Sequence, residues 1–89
     1  MMAGSLLQVE VVSREGRLWH GVSGHVRVPA ADGMLGILPR RQPLLATLTV
    51  GTVEVDTPQE GTRTFRVDGG FVSVDSDFVT VVADHGSVA

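Results

Sequence analysis

Apolar and polar residues alternate along much of this chain with a period of two, the spacing that sends successive side chains to opposite faces of a strand. Leu7, Val9 and Val11 alternate with Gln8 and Glu10, which predicts a first strand ending in the polar turn Ser13-Arg14-Glu15-Gly16. A less patterned stretch begins at Trp19. Val22, Gly24, Val26 and Val28 then share one parity, with Ser23, His25 and Arg27 on the other. Pro29 has no N–H to offer a ladder and is expected to stop it, with Ala30-Ala31-Asp32-Gly33 as a loop. A short apolar segment, Gly36 to Pro39, is separated by Arg40-Arg41-Gln42-Pro43 from the run Leu44 to Val50. Gly51 is expected to turn the chain into Thr52 to Asp56, and Thr57 to Gly61 to form a polar loop before Arg63 to Val67, where Phe65 and Val67 face the core. Asp68-Gly69-Gly70 is expected to supply positive φ for a tight connection or a bulge before Phe71 to Val74. Asp75-Ser76-Asp77 reads as another turn, Phe78 to Ala83 as the last strand, and Asp84 to Ala89 as a frayed tail. The pattern gives about eight or nine short strands with sandwich or barrel spacing.

Composition agrees. The 89 residues are enough for one domain and too few for two. Sixteen Val and seven Thr suit pleated strands, while eleven Gly and four Pro leave little room for a helix of ordinary length. The net charge of −3, with every basic residue an Arg, argues against a nucleic-acid partner. Without Cys there are neither disulfides nor thiolate metal sites. The longest uncharged stretch, Gln42 to Val53, is twelve residues broken by Pro43 and Gly51, short of the roughly 18 to 20 of a spanning helix. Met1 to Val9 carries no basic residue and too short an apolar part for a secretory signal, so a cytoplasmic setting is the expectation.

The chemistry-bearing residues point away from catalysis. His20 and His25, five apart, would face opposite sides of a strand, so a metal site completed by Asp84 and His85 is disfavoured. Asp68, Asp75, Asp77 and Asp84 fall in separate turns, where Asp bonds the local backbone, rather than forming a calcium loop. No serine sits in a nucleophile elbow, and Gly33-Met34-Leu35-Gly36 lacks the Lys and Ser or Thr of a phosphate loop. No catalytic, cofactor or metal residue is assigned. Gly36-Ile37-Leu38-Pro39-Arg40-Arg41-Gln42-Pro43-Leu44-Leu45 stands out, because it holds two adjacent arginines at a corner fenced by prolines and apolar anchors.

That segment, read with its neighbours, resembles the epsilon subunit of bacterial F-type ATP synthases, called delta in mitochondria. Leu7 to Ser13 is similar to the family's first strand, Gly33 to Pro39 followed by Pro43-Leu44-Leu45 to its most distinctive motif, and Val67 to Val74 and Val79 to Asp84 to its two closing signatures. The resemblance covers nearly the whole chain. It implies a flattened all-β sandwich of about ten short, mostly antiparallel strands, a single domain over residues 1–89 with residues 1–5 and 85–89 as frayed tails. It also implies a non-catalytic rotor subunit that fastens gamma to the c-ring and couples proton-driven rotation to ATP synthesis. The setting implied is the cytoplasmic face of the bacterial plasma membrane, reached only through the c-ring.

By the same resemblance, Met34, Arg40, Arg41 and Gln42 would lie at the c-ring contact. The family often has Gly-His where this chain has Arg40-Arg41 and an acidic residue where it has Met34, so this corner is more basic than usual. Arg40 and Arg41 are expected to pair with acidic or carbonyl groups of the ring loops. One outer sheet face, with Leu44, Leu45, Phe71 and Val72, is expected to meet gamma. Trp19 could be an interface anchor or a core filler. Many family members continue into an inhibitory helical hairpin. The 89 residues stop short of one, so coupling without strong inhibition is expected. The competing reading is a stand-alone β-sandwich that binds carbohydrate or peptide, for which four aromatics are a thin supply.

Overall fold

The computed structural model describes residues 5–89 and contains eight strands among them. These are β1 (Leu7–Ser13), β2 (Gly16–Ser23), β3 (His25–Ala30), β4 (Gly33–Ile37), β5 (Leu44–Thr57), β6 (Gly61–Asp75), β7 (Phe78–Ala83) and β8 (Gly86–Val88). They are hydrogen-bonded in the order β2-β1-β7-β6-β5-β3-β4, with β8 on β6. All pairs are antiparallel except β1 with β7.

β5 and β6 explain how eight strands build a sandwich that resemblance put at about ten. They pair without interruption of register from Leu44↔Val74 to Thr57↔Gly61, so the two strands bend together as one ribbon. The two halves of this ribbon belong to different layers. The first layer is β2, β1, β7, the Gly70–Asp75 part of β6 and the Leu44–Leu48 part of β5. The second is β4, β3, the remaining part of β5, the remaining part of β6, and β8.

The inward parity switches where the ribbon passes between layers. In β5 it moves from Leu48 to Val53 and Val55; in β6 it moves from Phe65 and Val67 to Val72 and Val74. Gly69 and Gly70 lie there with φ of 120° and 119°, a region side chains avoid. A Cβ on Gly70 would land on the Val82 carbonyl oxygen. The expected turn at Asp68-Gly69-Gly70 is therefore a kink inside one long strand. Gly51, also expected to turn the chain, lies within β5, where a Cβ would stand 2.9 Å from that of Pro29.

Sixteen apolar side chains fill the space between the layers, Phe65 being the largest among those fully buried. Leu7, Val9 and Val11 point inward as the alternation predicts, as do Val26 and Val28. Val22 does not, because the predicted run from Val22 to Val28 breaks at Gly24, where the chain leaves β2 for β3. Ser23 is fully buried at that corner, donating to the His25 carbonyl at 2.9 Å and accepting from the His25 N–H at 3.0 Å. Those bonds let a polar side chain occupy the core.

Three further expectations change. Pro29 does not end its strand: β3 continues to Ala30 and pairs Pro29 with Met34, while the missing N–H falls where the β3–β5 register is irregular. The stretch around Trp19 is strand β2, whose pairing with β1 is bulged at Leu18, between Val11↔Trp19 and Val12↔Arg17, and Trp19 packs on the core with its ring centroid 6.3 Å from that of Phe65. Gly21 gives the indole its place, since a Cβ there would come 2.7 Å from the ring. The predicted fraying of residues 85–89 is replaced by β8, with Phe65↔Val88, Arg66↔Ser87 and Val67↔Gly86 as partners. Three residues without alternation carry too little pattern to announce a strand. At the other end, residues 1–4 lie outside the described residues.

Candidate interaction surfaces

The two layers turn very different outer faces to solvent. On the first layer, the outward positions include Leu45 and Thr47 of β5, Phe71 and Ser73 of β6, Phe78, Thr80 and Val82 of β7, and Glu10 and Val12 of β1. Phe71 lies opposite both Thr47 and Val82, and Val82 beside Val12, so apolar side chains from three strands are neighbours, with Leu45 of β5 diagonal to Phe71. Leu45 is 73% exposed, Phe78 62% and Phe71 44%. Along the β1–β2 edge the face becomes polar, where Arg17 Nε donates to Glu10 Oε2 at 3.0 Å and His20 sits opposite Glu10. An apolar centre with a charged rim is the anatomy of a protein contact.

Of the residues expected to meet gamma, the structure puts Leu45 and Phe71 on this face. Val72 is fully buried and Leu44 is half-buried against the core. The correction follows from period two: Leu44 and Val72 are the inward neighbours of Leu45 and Phe71.

The second layer carries a charge network of its own. Arg27 donates from Nε to Glu54 Oε1 at 2.7 Å, and its two terminal nitrogens grip Asp56 at 2.9 Å each. Thr62 Oγ1 donates to Asp56 Oδ1 at 2.9 Å, and His25 Nδ1 lies 2.9 Å from an Arg27 nitrogen. The register of β3, β5 and β6 assembles the group, with His25↔Asp56, Arg27↔Glu54 and Asp56↔Thr62 as partners. The Arg27 and Thr62 hydrogen bonds hold the Asp56 carboxyl down at about 2, from an ordinary 3.8, while the two carboxylates raise Arg27. Parity alone put His25 and Arg27 outward. The pairing with Glu54 and Asp56 needed the strand register, which no local pattern contains.

The four residues expected at the c-ring divide into two places. Met34 is exposed on edge strand β4, opposite Pro29. Arg40, Arg41 and Gln42 follow the other end of β4, exposed on the link to β5. Arg40 is fastened there: its N–H donates to Asp77 Oδ1 at 2.7 Å and its Nε to Ser5 Oγ at 3.3 Å. A partner touching both places would lie along β4. Among the described residues, neither Arg40 nor Arg41 has a carboxylate within ion-pair distance.

The histidines are dispersed. His20 is on the first outer face, His25 is in the Arg27 network, and His85 contacts Glu15 at 3.4 Å while its backbone N–H donates to Asp68 Oδ1 at 2.8 Å. Hydrogen bonding, chiefly from Ser13, lowers the Glu15 carboxyl. No group of three or more potential metal ligands occurs among the described residues. Among the described residues the arrangement presents surfaces, without an assembled nucleophile and base.

Fold and faces define a small β-sandwich with an exposed apolar face on one layer and a paired charge network on the other. The chain belongs to the family described as ATP synthase, Delta/Epsilon chain, beta-sandwich domain, whose pattern matches residues 6–87. Among curated relatives, the ATP synthase epsilon chain of Leptospira interrogans serovar Lai is 36% identical over 87 residues, covering 98% of this chain and 68% of that protein. The epsilon chain of Micrococcus luteus is 44% identical over 77 residues, covering 86% and 85% respectively. The fold is shared with a chain in the cryo-EM structure of Euglena gracilis mitochondrial ATP synthase, OSCP/F1/c-ring, with a TM-score of 0.86 at 14% identity. This chain spans 56% of that one. A chain in the central stalk/c-ring structure from Tetrahymena thermophila matches with a TM-score of 0.75 at 12% identity.

Proposed function

We propose that this chain is a non-catalytic central-stalk subunit of a proton-translocating F-type ATP synthase, fastening gamma to the c-ring so that ring rotation is coupled to ATP synthesis. The observation that carries the reading is the family match over residues 6–87, with relatives that are ATP synthase epsilon chains. Torque can pass through such a subunit only if it grips both neighbours, and the molecule has two unlike surfaces for that. The apolar face around Leu45 and Phe71 suits gamma. The basic corner at Arg40 and Arg41, beyond one end of edge strand β4, with Met34 near the other end, suits the polar loops of the ring. The subunit would then sit on the cytoplasmic face of a bacterial plasma membrane, peripheral and held through the ring.

Capture from solubilised bacterial membranes by the tagged chain tests the reading: gamma and c subunits should be retained together, and retention of neither contradicts it. The ring half has its own test. An Arg40→Ala, Arg41→Ala double variant should weaken ring binding and flatten its salt dependence, and unaltered binding at all salt concentrations contradicts the assignment.

A further inference from the structure

Two turns 37 residues apart in sequence meet at one side chain. Arg40 has φ of 68°, in the left-handed region where a non-glycine residue persists only if its surroundings hold it. The holder is Asp77, whose Oδ1 accepts the Arg40 N–H at 2.7 Å, the short length of a bond to a charged acceptor. Asp77 is itself fixed. It is the second residue of the two-residue turn between Asp75 and Phe78, with φ of 51° at Ser76 and 65° at Asp77, and its carbonyl accepts the Gln8 N–H at 2.8 Å. The β6–β7 turn, the start of β1 and the Pro39–Arg40 turn are thus tied at one residue.

We propose that Asp77 is the positioning residue of the basic corner: its carboxylate holds Arg40 left-handed and so sets the direction in which Arg41 and Gln42 leave the sandwich. The inference rests on the reading of that corner as the ring contact, and deepens it. The guanidinium groups of Arg40 and Arg41 have no carboxylate within ion-pair distance among the described residues, so the corner is stiffened through the Arg40 backbone while both side chains keep their charge for a partner. A flexible loop would have to order those side chains on binding, and a fixed one avoids much of that entropy loss.

Two variants separate this role from plain support of the β6–β7 turn. Asp77→Gly keeps a residue at ease with positive φ and removes the acceptor; Asp77→Asn keeps both the turn and an acceptor oxygen. NMR amide–water exchange on the full chain should show the Arg40 N–H exchanging roughly fivefold or more faster in Asp77→Gly and near wild-type in Asp77→Asn, with core amides unchanged. Binding of the complex of this chain and gamma to a purified c-ring should fall in Asp77→Gly and recover in Asp77→Asn. Unchanged Arg40 exchange in Asp77→Gly overturns the proposal. So does ring binding that ignores Asp77→Gly while the Arg40→Ala, Arg41→Ala variant loses it. If exchange quickens and neither variant alters ring binding, the ring-contact reading fails, and the positioning role with it.

Discussion

The two outer faces are made by the same β5–β6 ribbon and differ in what they leave unsatisfied. On the second layer, Arg27 shares its guanidinium between Glu54 and Asp56, and Thr62 and His25 close the remaining sides. On the first, Leu45 and, in part, Phe71 are exposed to solvent. A face whose charges are paired internally gains little from a partner, since docking would desolvate groups that already have their bonds. A face with exposed apolar side chains gains by being covered. The difference supports the proposed docking of gamma on the first layer and leaves the Arg27 network to the sandwich's own stability, while the β4 edge of the second layer, with Met34 exposed, stays available for the proposed ring contact.

The ribbon kink is what separates the faces, so breaking it should have the largest effect. Gly70→Ala puts a Cβ against the Val82 carbonyl in a conformation alanine rejects. It should destabilise the sandwich by about 3 kcal/mol or more, read as a lowered Tm in calorimetry. Phe65→Ala, emptying the largest fully buried side chain, should cost a comparable 3 to 5 kcal/mol or so.

Arg27→Ala should have an intermediate effect, about 1 to 2 kcal/mol, because it leaves Glu54 and Asp56 close together without their shared cation. Its pH signature sharpens the assignment. Asp56 folds with its carboxyl near 2 instead of 3.8, so its contribution is present above pH 4 and is lost as pH falls toward 2. Urea melts across that window should show a falling midpoint in the wild type and a shallower fall in Arg27→Ala. The smallest effect is expected at the Glu15–His85 contact, exposed on both sides: His85→Ala should leave Tm unchanged within error.

The sequence carried unequal amounts of information about these regions. Strand positions and inward parity were legible for β1 and for Val26, Val28, Phe65 and Val67, because one face of each is buried and alternation survives. The chemistry at Gly69-Gly70 was legible too, as positive φ, although whether it served a turn or a kink depended on the long-range pairing of β5 with β6. β8 was hidden because it is short and borrows its order from β6. The basic corner was visible as Arg40-Arg41 between two prolines. Its anchor was not, since Asp77 reads locally as an ordinary turn residue and its bond to Arg40 spans 37 positions. The Arg27 network was invisible for the same reason.

The most direct test compares matched charges on the two faces. Leu45→Glu and Phe71→Glu add a carboxylate to the apolar face, and Thr52→Glu adds one to the second layer, where Thr52 lies opposite Arg66. All three sites are at least partly exposed, so folding should survive in each. Affinity for purified gamma, measured by calorimetry, should fall at least about 30-fold for Leu45→Glu and Phe71→Glu and stay near wild-type for Thr52→Glu. Equal affinity for all three, or a loss confined to Thr52→Glu, would contradict docking through the first layer.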